Sequence, residues 1–147
     1  GGCLAMAAAM GIGRFVYTPI LPAMMEALSW SRSDAGLVAS ANFLGYLIGA
    51  LVAGHSVFGA QPRRWLFVAL ALSVVTTAAM AATTSLIALS LLRFVGGVAS
   101  AFVIICASSL VLGRLTKAGQ SALAAVHFAG VGTGIALSAA LVALGGA

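Results

Sequence analysis

The stretch Leu86–Leu112, LIALSLLRFVGGVASAFVIICASSLVL, contains one charged side chain, Arg93, and no acid. It is longer than the roughly 20 apolar residues that a helix needs to cross a bilayer core about 30 Å thick. Four further runs of this kind lie at about Gly2–Pro22, Gly36–Gly54, Trp65–Ala82 and Ser121–Ala143. Transmembrane β-strands are about half that length and alternate in polarity. These runs do not alternate, and a helix satisfies its own backbone groups where no water is present. The 147 residues are 63% hydrophobic and 6% charged, where a soluble domain carries about a quarter charged residues. Such a chain cannot cover a water-facing surface. The fold class it implies is an all-α integral membrane protein with five transmembrane helices.

The net charge of +5 comes from seven Lys/Arg against two acids. The charges sit between the apolar runs rather than on a basic face with aromatics, so they read as topology signals and not as a nucleic-acid site. Arg63 and Arg64 fall in HSVFGAQPRR (His55–Arg64), between the second and third runs. Arg114 and Lys117 fall in GRLTKAGQ (Gly113–Gln120), between the fourth and fifth. The short AATTS (Ala81–Ser85) makes the third and fourth runs an antiparallel hairpin. The opposite side has Arg32, offset by Glu26 and Asp34. The positive-inside rule then places both basic loops and the N-terminus in the cytoplasm. Trp30 and Trp65 fall at opposite interfaces, and Ser31 with Asp34 loosely resembles a capping box ahead of the second run. Cys3 and Cys106 are too few for a disulfide framework or a zinc site and read as packing residues. No cofactor or metal is expected. Gly1 is not a Met and Leu144–Ala147 is still apolar, so the sequence reads as a fragment of a longer chain.

The polar residues inside the runs carry the functional argument. In GIGRFVYTP (Gly11–Pro19), Arg14 stands inside the first run. Counted from the outer ends at 1.5 Å per residue, Arg14 and Arg93 each lie about 12 Å deep and Asn42 about 10 Å deep. Thr133 falls near the midplane. An arginine at such depth costs about 2.5–3.5 kcal/mol on insertion scales, and no run has an acid in its interior. Three readings stay open for each guanidinium. It snorkels to an interface. It caps backbone carbonyls that Pro19 frees by lacking an N–H. Or it meets an anionic solute in a water-filled cavity. Tyr17, Asn42 and Thr133 are secondary contacts in the third reading. His127, about two turns into the fifth run, reads as a packing residue ahead of a proton relay. The pairs Gly45/Gly49, Gly97/Ala101 and Gly130/Gly134 are small residues four apart, which let helices approach closely.

At these residues the chain resembles the N-terminal half of a major facilitator superfamily (MFS) transporter. Arg93, Gly97 and Ala101 in RFVGGVASA look like that superfamily's helix-four motif. GRFVYTPILP, SANFLGYLIGA and FAGVGTGIALS look like its bacterial YbfB/YjiJ-type branch. The resemblance implies twelve helices in two six-helix halves, with helices one, two, four and five lining a cavity. The sixth helix and the C-terminal half would then be missing partners of this segment. Two departures stand out. GHSVFGAQPRR keeps Gly54, Arg63 and Arg64 of the second–third loop motif but has no acid. The fifth run lacks the Gly-Pro pair of drug–proton antiporters. The expected function is a secondary active transporter in the bacterial inner membrane. It would move a small solute, with an anion favoured and H+ as an optional coupling ion, by alternating access. Arg14 would bind the solute, and Arg93 would bind it or tune proton coupling as the motif implies. An enzyme is not expected, since both acids lie at the rim. The alternative is a complete five-helix scaffold or assembly subunit with no transport of its own, which leaves two deep arginines without a role.

Overall fold

The structure is a computed structural model that describes residues 2–14 and 17–145. Helix α1 (Gly2–Met6) runs directly into a π-helical segment, Ala7–Arg14. Then follow α2 (Tyr17–Ala27), α3 (Arg32–Ala53), the short α4 (Ser56–Gly59), α5 (Pro62–Met80), α6 (Leu86–Lys117) and, after a 3-10 turn at Ser121–Leu123, α7 (Ala124–Gly145). No strand occurs among the described residues. Helices α3, α5, α6 and α7 are each long and apolar enough to cross a membrane. Helix α1, the π segment and α2 cover the first apolar run and continue beyond Pro22 to Ala27; residues 15 and 16 of that run lie outside the described residues. The protein is an all-α, multi-pass membrane protein.

Several helices extend past the apolar runs into polar ends, because the caps are local. Helix α3 starts four residues before Gly36, where Ser31 and Asp34 close a full capping box. The Asp34 N–H donates to Ser31 Oγ at 3.2 Å and the Ser31 N–H donates to Asp34 Oδ2 at 3.0 Å, which satisfies two of the orphan donors of a helix start. Pro62 opens α5, where its missing N–H costs nothing. Arg63, Arg64, Arg114 and Lys117 gather at one end of the bundle, called here the basic end, together with the start of α1. Glu26 and Asp34 lie at the other.

Helix α6 is the centre of the bundle and has the longest buried flank, from Leu89 to Ala107. Helix α3 packs on one side of it and α5 on another. The α3–α6 contact is backbone on backbone. A Cβ on Gly97 would run into the Asn42 carbonyl, one on Gly45 into the Phe94 carbonyl, and one on Gly49 would lie 2.8 Å from Val98 Cα and 3.0 Å from the Ala101 methyl. The first helix and α7 meet in the same way, with Gly130 against the Cys3 backbone and Gly134 against Ala7 and Gly11. Small residues permit this approach, and dispersion between the backbones holds it where lipid supplies no hydrophobic drive. At the basic half, Phe58, Trp65 and Phe102 form an edge-on aromatic cluster with centroids 4.8 and 5.2 Å from Phe58. The outward faces are apolar, with Leu44, Leu51, Phe67, Val74, Val75 and Leu141 all exposed, as a lipid-facing surface requires. On α5 the polar residues Ser73 and Thr76 are buried instead. Each hydroxyl need not find a partner in lipid, and Thr76 Oγ1 donates to the Leu72 carbonyl at 2.9 Å.

Candidate functional site

The site begins with the backbone of the first helix. A π-helical ladder pairs each N–H with the carbonyl five residues back. Five residues after Arg14 stands Pro19, which has no N–H to give. Backbone carbonyls at this depth need partners. The side chain that meets two of them comes from α6. Arg93 Nη2 donates to the Arg14 carbonyl at 3.0 Å, and Arg93 Nη1 reaches the Gly13 carbonyl at 3.5 Å. The planar fork of a guanidinium suits two neighbouring acceptors. Of the roles open to the two arginines, carbonyl capping is thus one that Arg93 fills, on the turn that carries Arg14.

Further contacts fix Arg93. Its guanidinium lies over the Tyr17 ring, 4.7 Å from the centroid. The Tyr17 hydroxyl donates to the Ala35 carbonyl of α3 at 3.3 Å. Asn42 Nδ2, also from α3, donates to the Arg93 backbone carbonyl at 2.9 Å. The polar contacts run from α3 to α6, on to the first helix, to α2, and back to α3. Arg93 is only 6% exposed and Asn42 3%. Arg93 Nε has no hydrogen-bond partner among the described residues.

Arg14 is placed differently. Its guanidinium turns toward α3, 4.1 Å from the Tyr46 centroid and 5.4 Å from that of Phe43. A cation over an aromatic face gains about 0.5–1 kcal/mol when exposed and about 2 when desolvated. Arg14 is half-buried, while Phe43 beside it is 61% exposed. Each guanidinium therefore rests on its own tyrosine, which separates two like charges that share one level.

The remaining residues fall elsewhere. Thr133 is exposed on α7, and its hydroxyl donates to the Gly130 carbonyl of its own helix at 2.9 Å. It takes no part in the contacts around Arg93. Gly45, Gly49, Gly97 and Ala101 make the α3–α6 seam, and Gly130 and Gly134 the seam between α7 and the first helix. Gly54 caps α3, with its N–H on the Ala50 carbonyl at 3.1 Å. Arg63 and Arg64 are exposed at the start of α5. Arg63 and Arg114 line one cleft of about 420 Å³ with Gly2 at the basic end. Two apolar grooves of about 380 and 460 Å³ lie between α5 and the first helical stretch, away from the Arg14 guanidinium.

Two contacts have no clear signal in the sequence. Tyr46 shares a helical face with Asn42, Gly45 and Gly49, but nothing in that spacing marks it as the seat of Arg14. Ser108 of α6 meets His127 of α7, Oγ to Nε2, at 3.3 Å, and no periodicity singles it out.

The family model described as "Uncharacterised MFS-type transporter YbfB" matches residues 6–147. No curated protein and no solved structure matches the chain.

Proposed function

Because the chain belongs to the family of MFS-type transporters described by YbfB, we propose that it forms the N-terminal half of a secondary transporter of the bacterial inner membrane. It moves a small solute, with an anion favoured, by alternating access. The N-terminus and the basic end face the cytoplasm, in keeping with four Lys/Arg in the two basic loops. The solute site is closed by a C-terminal half of the same chain.

One observation carries this reading. Arg14 holds its guanidinium over Tyr46 and Phe43 on a half-buried flank, while Arg93 turns its two Nη groups to the backbone just behind. Two positive charges at one level raise the local potential, and an incoming anion lowers it. Arg14 is the solute-binding residue, with Tyr46 and Phe43 as its platform. Arg93 is a positioning residue, which fixes the turn that presents Arg14. Tyr17 and Asn42 hold Arg93, and Thr133 is a contact from α7 on approach of the second half.

The test is uptake into proteoliposomes by the full-length protein and its Arg14→Ala variant, across a panel of small organic and inorganic anions. The expected result is loss of uptake with insertion kept and a stability loss no larger than the about 0.5–2 kcal/mol of the ring contact. Wild-type uptake by Arg14→Ala rejects the assignment.

A further inference from the structure

At the basic end, α1, α6 and α7 converge on one imidazole. His127 is 3% exposed. Its Nε2 meets Ser108 Oγ at 3.3 Å, and its Nδ1 is buried with no hydrogen-bond partner among the described residues. The Phe128 ring stands edge-on to it, centroids 4.9 Å apart. A Cβ on Gly2 would lie 2.7 Å from Nδ1, so the start of α1 presses directly on the ring. Yet the ring borders a cleft of about 220 Å³, lined also by Gly2, Cys3, Val111, Leu115, Leu123 and Val126. A proton has a route to it.

We propose that His127 is the proton-binding site of the transport cycle, and that protonation opens the basic end where α1 packs on α6 and α7. This rests on the transporter reading above. A neutral imidazole fits the closed packing, since it carries one N–H and no charge, with Ser108 on one nitrogen and the start of α1 against the other. An added proton makes both nitrogens N–H donors and places a charge there. The groups nearby are all uncharged: the Gly2 backbone and the Cys3 thiol from α1, and the Ser108 hydroxyl from α6. Arg114 of α6 and Arg63 of α5 line the adjoining cleft that shares Gly2 and Val111. Both acids of the chain lie at the opposite end. With no acid beside it, the charged ring is better stabilised when water enters between α1 and α7. A ligand bound better by one of two states shifts the population toward it, and here that ligand is a proton.

Cys3 lines the same cleft and is half-buried, which makes it the reporter. The full-length protein is placed in nanodiscs with Cys106 and any other cysteine replaced by Ala. Labelling of Cys3 by a membrane-impermeant maleimide is followed from about pH 8 to about pH 5.5, across the ordinary histidine range. Rates are normalised to free cysteine, because the thiolate fraction itself falls with pH. The normalised rate is expected to rise at least about 5-fold, the low end of coupling between linked sites, and to stay flat in His127→Gln. A flat wild-type profile, or the same rise in His127→Gln, overturns the proposal. Should that variant not fold, 15N NMR of the wild-type ring decides: His127 neutral throughout also overturns it. None of these readouts needs transport, so they stand apart from the test of Arg14. Uptake by His127→Gln with wild-type pH dependence rejects the coupling role even where labelling responds.

Discussion

The Arg93 guanidinium holds the backbone of the other deep arginine, with Nη2 on the Arg14 carbonyl at 3.0 Å. The two charges are thereby not equivalent. One fixes the main chain, and the other points its side chain from that fixed turn toward Tyr46. Arg93→Lys replaces a two-pronged donor by a single ammonium. At least one of the Gly13 and Arg14 carbonyls then loses its bond to α6, at about 1.5–3 kcal/mol for a bond to a charged group. Equilibrium unfolding in mixed micelles should show this loss, with faster amide exchange at the start of α2. Unchanged stability and exchange would mean that the backbone there needs no clamp.

Tyr46 tests the platform under Arg14. Tyr46→Phe keeps the ring and should leave stability and uptake near wild type. Tyr46→Leu removes the face and should cost about 0.5–2 kcal/mol, with a weaker apparent affinity for solute. Equal behaviour of the two variants speaks against a cation–π role.

Asn42 contributes one interhelical hydrogen bond, to the Arg93 carbonyl. Asn42→Ala should cost on average about 0.6 kcal/mol and at most about 1.7, the range for such bonds in membranes. A much larger loss would show that Asn42 does more than join α3 to α6.

The glycine seams give a paired comparison. Gly97→Ala drives a methyl into the Asn42 carbonyl, against a backbone that cannot step aside, and should destabilise by about 1–3 kcal/mol. Gly132→Ala meets nothing within 4 Å and lies inside α7, so it should stabilise by about 0.5–1 kcal/mol. Unfolding of the two variants side by side checks both signs. A neutral Gly97→Ala is the result that breaks the argument.

Outside the bilayer, Ser31→Ala opens the capping box of α3 and should cost about 0.5–2 kcal/mol. Ser31→Thr, which keeps a hydroxyl to accept from the Asp34 N–H and to donate to Asp34 Oδ2, should recover most of it in the same assay.

Much of this architecture is legible from the sequence because two of its rules are one-dimensional. Apolar length marks α3, α5, α6 and α7 as spans, and the glycines at 45, 49 and 97 announce the close seam of α3 on α6. The 1.5 Å rise also places Arg14, Asn42 and Arg93 at nearly one depth, and their contacts lie at that level. Rise gives height but not direction around the helix. Direction is what sends Arg93 to a backbone and Arg14 to a ring. The π segment at Ala7–Arg14 changes the residues per turn locally, and the run AAAMGIGR has no apolar/polar rhythm from which that change could be read. Thr133 shows the same limit, since its height is unremarkable and its hydroxyl bonds within α7. Ser108 and His127 lie 19 positions apart on different helices, and only the packing of α7 on α6 pairs them.

The clamp between Arg93 and the first helix also orders events at the ribosome. The Gly13 and Arg14 carbonyls lie 80 and 79 positions ahead of Arg93 in the chain. At about 5–20 residues per second of synthesis, roughly 4–16 s separate the appearance of these acceptors from that of their donor. During that interval the first helix lacks the two hydrogen bonds that Arg93 gives it. The first helix thus gains its clamp only after α6 has entered the membrane.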